Sequence, residues 1–139
     1  MLIGEYKHSI DAKGRVIMPV KFREDIGDVF YVTIGSDNCL KAYAKEDWEE
    51  YKAKIAALPD SDPNARSYKR NVLSSSMECE LDKQGRILIS EKLRNYANFK
   101  KEVTIIGVSA YIEIWDTDEW NKYNESSVGV VEELSAYGL

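Results

Sequence analysis

The sequence predicts an α+β protein in which one unit is written twice and the two copies fold onto each other around a shared core. Three observations carry this. Residues Asp11 to Pro19, DAKGRVIMP, return at Asp82 to Ser90 as DKQGRILIS. The correspondence continues past the motif: Val16 aligns with Ile87, Met18 with Ile89, Lys21 with Lys92, Phe22 with Leu93 and Arg23 with Arg94. After a one-residue slip it resumes, with Gly35 over Gly107, Leu40 over Ile112, Tyr43 over Trp115, Trp48 over Trp120 and Tyr51 over Tyr123. Finally, a unit of roughly 45 residues is too short to bury a good core unaided. The whole chain, 139 residues and 44% hydrophobic, is enough for one compact domain and not for two.

In chain order, Leu2 to Ile10 reads as an opening strand with Tyr6 as its packing residue. His8, the only histidine, has no second histidine to share a metal and reads as an ordinary strand residue. The motif then has the grammar of turn, strand, helix. Gly14 supplies backbone freedom for a tight turn, Arg15 stands where the turn feeds a strand, and Val16 to Met18 form a short buried strand. Pro19 suits a helix start, so Val20 to Asp25 should be helical until Gly27 breaks the run. Val29 to Ile34 and Leu40 to Tyr43 read as strands around the turn GSDNC. Lys45 to Ala57 carries Trp48, Tyr51 and Ile55 at helical spacing, more consistent with core than with a ligand platform.

The breaker-rich stretch Pro59 to Pro63 separates the copies, and Asp62 should start a helix over Asn64 to Ser75. Its expected inward residues are Ala65, Tyr68, Val72 and Leu73, with Arg66, Lys69 and Arg70 outward; the serines at 74 to 76 should end it. Met77 to Leu81 opens the second copy. Ser90 stands where Pro19 stood and can cap a helix over Glu91 to Tyr96. Glu102 to Ile106 and Tyr111 to Trp115 are paired strands, and Asp116 with Glu119 makes a capping box before Trp120 and Tyr123. Val128, Val131, Leu134 and Tyr137 fall on one helical face, which predicts a tail packed on the body. The resulting division is a first repeat over 5–47, a helical linker over 48–75, a second repeat over 76–119 and a C-terminal helical tail over 120–139.

A formal net charge of −5, from 19 basic and 24 acidic residues, argues against nucleic-acid binding through overall charge. Any such role must be local, and basic residues do crowd both motifs while acidic ones gather at 46–50 and 113–133. Cys39 and Cys79 lack the spacing of a disulfide framework or a zinc site, which suggests a reducing compartment. The N-terminus has charges by its fifth residue, and no stretch approaches a membrane span, so a soluble cytoplasmic protein is expected. No cofactor, metal or small-molecule substrate is indicated. An enzyme using Asp11 and Asp82 as paired carboxylates finds no accompanying nucleophile, phosphate loop or metal cluster.

A doubled DxxGR turn about seventy residues apart, each copy followed by strand, short helix, two strands and a Trp-bearing helix, closely resembles the MraZ family, bacterial transcriptional regulators built from tandem SpoVT/AbrB-like domains. The resemblance covers essentially the whole chain, including the helix around Arg66 and Arg70 and the C-terminal SAYGL. It implies a pseudo-twofold swapped-hairpin β-barrel of AbrB type with peripheral helices, in which the two repeats play the parts of two chains. It also implies a ring-shaped homo-oligomer and sequence-specific binding to double-stranded DNA at the promoter of the division and cell wall gene cluster. Repression of that cluster, including the protein's own gene, is implied too, at a nucleoid-associated location. By position, the DNA-contacting residues are Arg15 and Arg86, with Lys13 in the first motif; Gln84 replaces that lysine in the second.

Chemistry agrees with those positions. An arginine fork can donate to both O6 and N7 of guanine, whereas Lys13 and Lys83 are point charges suited to phosphate. Asp11 and Asp82 are repelled by phosphate and suit orienting the turn or pairing with their own arginines. With net negative charge and two arginines per chain, tight binding requires avidity from an oligomer on repeated promoter boxes. The alternative is an AbrB-like protein-interaction module of antitoxin type, with the arginines bound to partner carboxylates.

Overall fold

The element order follows the repeat. In a computed structural model, which describes residues 1–127 and 129–139, with Val131 by its backbone alone, the first copy runs β1 (Leu2–Ser9), β2 (Arg15–Ile17), α1 (Val20–Ile26), β3 (Val29–Ile34), a 3-10 turn (Ser36–Asn38), β4 (Leu40–Ala44) and α2 (Lys45–Ala56). Helix α3 (Pro63–Ser75) leads to the second copy: β5 (Met77–Glu80), β6 (Arg86–Leu88), α4 (Glu91–Tyr96), β7 (Glu102–Ser109), β8 (Ile112–Asp116) and α5 (Thr117–Ser126). A short helix α6 (Val130–Glu133) and a 3-10 turn (Ser135–Tyr137) follow.

Local chemistry sets the helix starts. Pro19 occupies the cap position of α1, where its carbonyl accepts the Phe22 N–H at 2.9 Å and no helical donor is lost. At the equivalent place Ser90 Oγ accepts the Leu93 N–H at 3.3 Å. Asp62 Oδ1 accepts the Asn64 N–H at 2.9 Å, with Pro63 first in α3. Asp116 accepts the Glu119 N–H at 3.3 Å, but the return half of the capping box is not made, since Glu119 takes a 3.4 Å bond from Asn98 Nδ2 instead. Asp116 is itself buried and is held by Lys100 Nζ at 2.9 Å.

Six strands form one antiparallel sheet in the order β1-β7-β8-β4-β3-β5, and β2 and β6 form a separate antiparallel ribbon. Exchanging the copies reverses this order onto itself, so a pseudo-twofold axis passes between β4 and β8 and between β2 and β6. The opening strands are exchanged: β1 pairs with β7 of the second copy and β5 with β3 of the first. A single bridge, Ile10 to Val16, links the end of β1 to the ribbon. No ladder joins the edge strands β1 and β5 among the described residues.

One hydrophobic core is built from both copies. Val16, Met18, Phe22 and Phe30 from the first meet Ile87, Ile89, Leu93, Ile105 and Ile114 from the second, all essentially without solvent contact. The repeat is also visible in two aromatic triads. Tyr43, Trp48 and Tyr51 have ring centroids 4.8 to 6.1 Å apart, and Trp115, Trp120 and Tyr123 have theirs 5.1 to 6.2 Å apart.

Helix α3 departs from expectation on both faces. Ala65, Val72 and Ser75 are its buried stripe, whereas Tyr68 and Leu73, expected inward, are 46% and 39% exposed. The stripe is narrow because α3 meets the sheet along one line, where Thr33 Oγ1 donates to the Val72 carbonyl at 2.9 Å. Tyr68 stands at the stripe's margin, its hydroxyl 2.9 Å from that of Tyr51. Arg66 and Lys69, expected outward, bend back onto Asp60 of the linker at 2.8 Å each and are half-buried, while Arg70 is exposed. In the tail, Tyr137 is 78% exposed rather than packed; Val128 and the Val131 side chain lie outside the described residues. Among the described residues no helix is long and apolar enough to cross a membrane.

Candidate nucleic-acid interface

Each motif folds into the same turn. Asp11 accepts the Gly14 N–H on its carbonyl at 3.0 Å, and its N–H donates to the Arg15 carbonyl at 3.0 Å. Its carboxylate works inward as well, Oδ1 accepting the Lys13 and Arg15 N–H groups at 3.0 and 2.9 Å. Asp82 repeats the pattern with Gly85, Gln84 and Arg86, each bond at 2.9 to 3.0 Å. The turn needs positive φ at its fourth residue, +86° at Gly14 and +76° at Gly85, which a β-carbon would strain. Oδ2 of each aspartate then takes the Nε–H of its own arginine, at 2.7 Å for Arg15 and 2.8 Å for Arg86.

This network holds both aspartates below the usual carboxylate range, through the arginine's backbone N–H first and its side chain after it. A lowered folded value means that the stabilisation is complete above the unfolded pKa, 3.8, and is lost as the pH falls through the folded one. Carboxyl-carbon NMR titration should therefore give midpoints below 3.8 for Asp11 and Asp82. Midpoints at or above that value would mean the backbone N–H and Nε contacts of the turn do not hold the carboxylates in solution.

The ribbon decides where the arginines face. Arg15 lies opposite Leu88, Val16 opposite Ile87 and Ile17 opposite Arg86. Alternation sends Val16 and Ile87 into the core, fully buried, and leaves Arg15, Ile17, Arg86 and Leu88 on the outer face. The two arginines are diagonal neighbours, a relation that separates them by roughly 7–8 Å. Their side chains are 30% and 25% exposed. Each guanidinium uses Nε on its aspartate, and among the described residues neither has a hydrogen-bond partner at its Nη groups. Lys13 and Lys83 are exposed in the turns themselves.

The two turns differ in surroundings. Beside the second is a surface cleft of about 500 Å³ whose lining includes Asp28, Glu80, Asp82 and Lys83. Ser9 holds the position in the first copy that Glu80 holds in the second, while Lys13 stands over Gln84 and Ala12 over Lys83, so each turn keeps one lysine. The second arginine therefore works in a more acidic neighbourhood.

Two further residues belong to the site and were not singled out from sequence. Arg23 Nε donates to the Met18 carbonyl at 3.0 Å, and Arg94 Nε to the Ile89 carbonyl at 3.1 Å. Their guanidinium groups lie against the glycine of the opposite copy's turn. A β-carbon on Gly14 would stand 2.9 Å from Arg94 Nε, and one on Gly85 would overlap the Arg23 guanidinium. The repeat alignment pairs Arg23 with Arg94, but nothing local in either helix says that its arginine reaches across to the other copy.

Fold and site together define a two-repeat α+β protein with exchanged opening strands that displays a pair of arginine-tipped turns on one ribbon. Residues 1–71 and 72–132 each match the family model described as "MraZ protein, putative antitoxin-like". The chain belongs to the MraZ family. It is 47% identical over 143 residues to the transcriptional regulator MraZ of Acetivibrio thermocellus, covering all of both chains. It is 47% identical over 137 residues to that of Thermoanaerobacter sp. strain X514, covering 99% of this chain and 96% of the relative. With the transcriptional regulator MraZ of Alkaliphilus metalliredigens it shares 49% over 127 residues, 91% of this chain and 89% of the relative.

Proposed function

We propose that the protein is a sequence-specific DNA-binding transcriptional regulator that engages repeated promoter boxes. In this reading it represses the division and cell wall gene cluster, its own gene included. The observation that carries the reading is the pair of guanidiniums on one exposed ribbon face, each tied down at Nε with its Nη groups available. A fork held in this way suits bidentate donation to guanine O6 and N7. Arg15 and Arg86 read bases, while Lys13 and Lys83 hold phosphates. The resemblance to regulators named for transcription supports the class of target.

A net charge of −5 gives little general attraction to DNA, so the chain acts as a ring-shaped homo-oligomer whose ribbons engage successive boxes together. In the same reading the ribbon closes the exchanged sheet into a swapped-hairpin barrel. The repeats occupy 5–47 and 76–119, with 48–75 as linker and 120–139 as tail, and the protein resides in the cytoplasm at the nucleoid. It is a regulator rather than an enzyme.

Fluorescence anisotropy with duplexes carrying one box or several, taken from upstream of its own gene, tests this. Binding should rise steeply with box number and fall by about 10³-fold or more between 50 and 200 mM salt, as for proteins with several phosphate contacts. Equal binding to single and multiple boxes would contradict it. The second reading, an antitoxin-type protein-interaction module, draws on Ile17 and Leu88, 40% and 58% exposed and each directly opposite one of the arginines in the ribbon. It predicts no preference for promoter sequence at all.

A further inference from the structure

We infer that Arg23 and Arg94 are crossed positioning residues: Arg94 seats the Asp11–Arg15 turn and Arg23 seats the Asp82–Arg86 turn, so each presented arginine depends on a side chain from the other repeat. The inference deepens the DNA-binding reading and rests on it for the importance of Arg15 and Arg86.

The geometry occurs twice, once in each copy, with different neighbours and the same result. In α1, Phe22 is buried in the core and fixes the helix, and Arg23 follows it. Arg23 spends its Nε–H on the Met18 carbonyl at 3.0 Å, just beyond β2. This lays the flat guanidinium against Gly85, which offers no β-carbon to keep it away. The Met18 N–H meanwhile donates to the Gly85 carbonyl at 2.9 Å, so the same turn is gripped by a backbone bond and covered by a guanidinium. In α4, Leu93 is buried, Arg94 Nε donates to the Ile89 carbonyl at 3.1 Å, and the Ile89 N–H donates to the Gly14 carbonyl at 2.8 Å.

Two alternatives fit less well. Independent contact with DNA would need a guanidinium free to turn outward, whereas those of Arg23 and Arg94 lie with one face against the glycine of the opposite turn, a contact Arg15 and Arg86 do not make. A purely electrostatic role would need only charge, but the contact uses an Nε–H and a plane, neither of which lysine has. The aspartate network within the turn is local and largely at the surface, so the turn is tied to the other copy by the Met18–Gly85 or Ile89–Gly14 backbone bond and by the guanidinium laid over its glycine. Whatever fixes Gly14 and Gly85 fixes the backbone from which Arg15 and Arg86 depart.

The test uses the full-length chain, with hydrogen-exchange mass spectrometry in the absence of DNA and anisotropy with the duplex from upstream of its own gene. Arg94→Ala should speed exchange in peptides covering 11–17 and leave 82–88 unchanged, and Arg23→Ala should do the reverse. Arg94→Lys should behave as Arg94→Ala does. Each alanine variant should weaken DNA binding by roughly fivefold to a hundredfold, the range of one bidentate arginine contact. The crossed doubles, R15A/R94A and R86A/R23A, should bind no more weakly than R15A and R86A alone, while the uncrossed doubles lose affinity multiplicatively.

Unchanged exchange, faster exchange in the arginine's own copy, rescue by lysine, or multiplicative loss in the crossed doubles would each overturn the inference. If exchange follows the crossed pattern but R15A and R86A bind DNA as the parent does, the seating stands and the DNA-binding reading fails.

Discussion

Replacing Arg15 and Arg86 together by alanine should, on the proposed function, abolish binding to promoter boxes while the fold and the oligomeric state of the protein stay as in the parent. Both side chains lie outside the core, 30% and 25% exposed, and among the described residues the side chain of each hydrogen-bonds only to its own aspartate, a surface pairing that contributes little to stability. In the proposed complex with DNA their value would be larger, because a guanidinium bidentate to guanine discriminates by about 1–3 kcal/mol per contact. An oligomer multiplies that loss over every ribbon engaged. The single variants should not be equal. Each turn carries one lysine, Lys13 or Lys83, but Arg86 also has Glu80, where the first copy has Ser9, and Asp28 beside its turn, so R15A should lose more affinity than R86A. Anisotropy for binding and size-exclusion with light scattering for assembly give the two readouts. Retained binding in the double variant would remove these arginines from the interface.

Phe22→Ala should be among the most destabilising single changes in the chain, by about 3–5 kcal/mol, and Leu93→Ala should follow at about 2–5 kcal/mol. The two side chains occupy equivalent positions in α1 and α4 and have no solvent contact. Both point into the single core, and Phe22 also meets the Tyr6 ring edge-on at 5.2 Å. For a domain whose total stability is on the order of 5–15 kcal/mol, either loss is large. Because the copies share one core, each variant should unfold in a single urea transition at a lower midpoint. Two separate transitions would mean that the repeats hold themselves up independently.

Much of this was legible in the sequence because the repeat gives every element of the body except α3 and the tail a second witness. The short helix over Glu91–Tyr96 and the strand over Val29–Ile34 fall where turn chemistry and β-branched runs put them. The two motifs also announced their own turns: aspartate, glycine and arginine at fixed offsets leave one economical backbone path, and it was legible that Asp11 and Asp82 would pair with their arginines. Less visible was anything depending on which copy touches which. Tyr68 and Leu73 fit the apolar pattern of α3, but how wide a stripe the helix buries depends on the surface it meets, and that surface comes from the distant strand β3. Lys69 looked like a solvated cation until the linker folded Asp60 back toward it. Arg23 and Arg94 show the same limit most clearly. Their role is set by a glycine in the other repeat, and no window of local sequence contains both partners.

The exchange of opening strands has a consequence for how the protein is made. Leu2 finds its partner at Ser109 and Ser9 at Glu102, so β1 leaves the ribosome about a hundred residues ahead of the strand it pairs with. At translation speeds of roughly 5–20 residues per second, that delay is on the order of ten seconds. Throughout it the N-terminal strand is tethered beside a half-built sheet with its hydrogen-bonding edge unmatched. A strand synthesised well before its partner is thus among the last to settle, and the nascent chain commits to its native topology only once β7 has emerged.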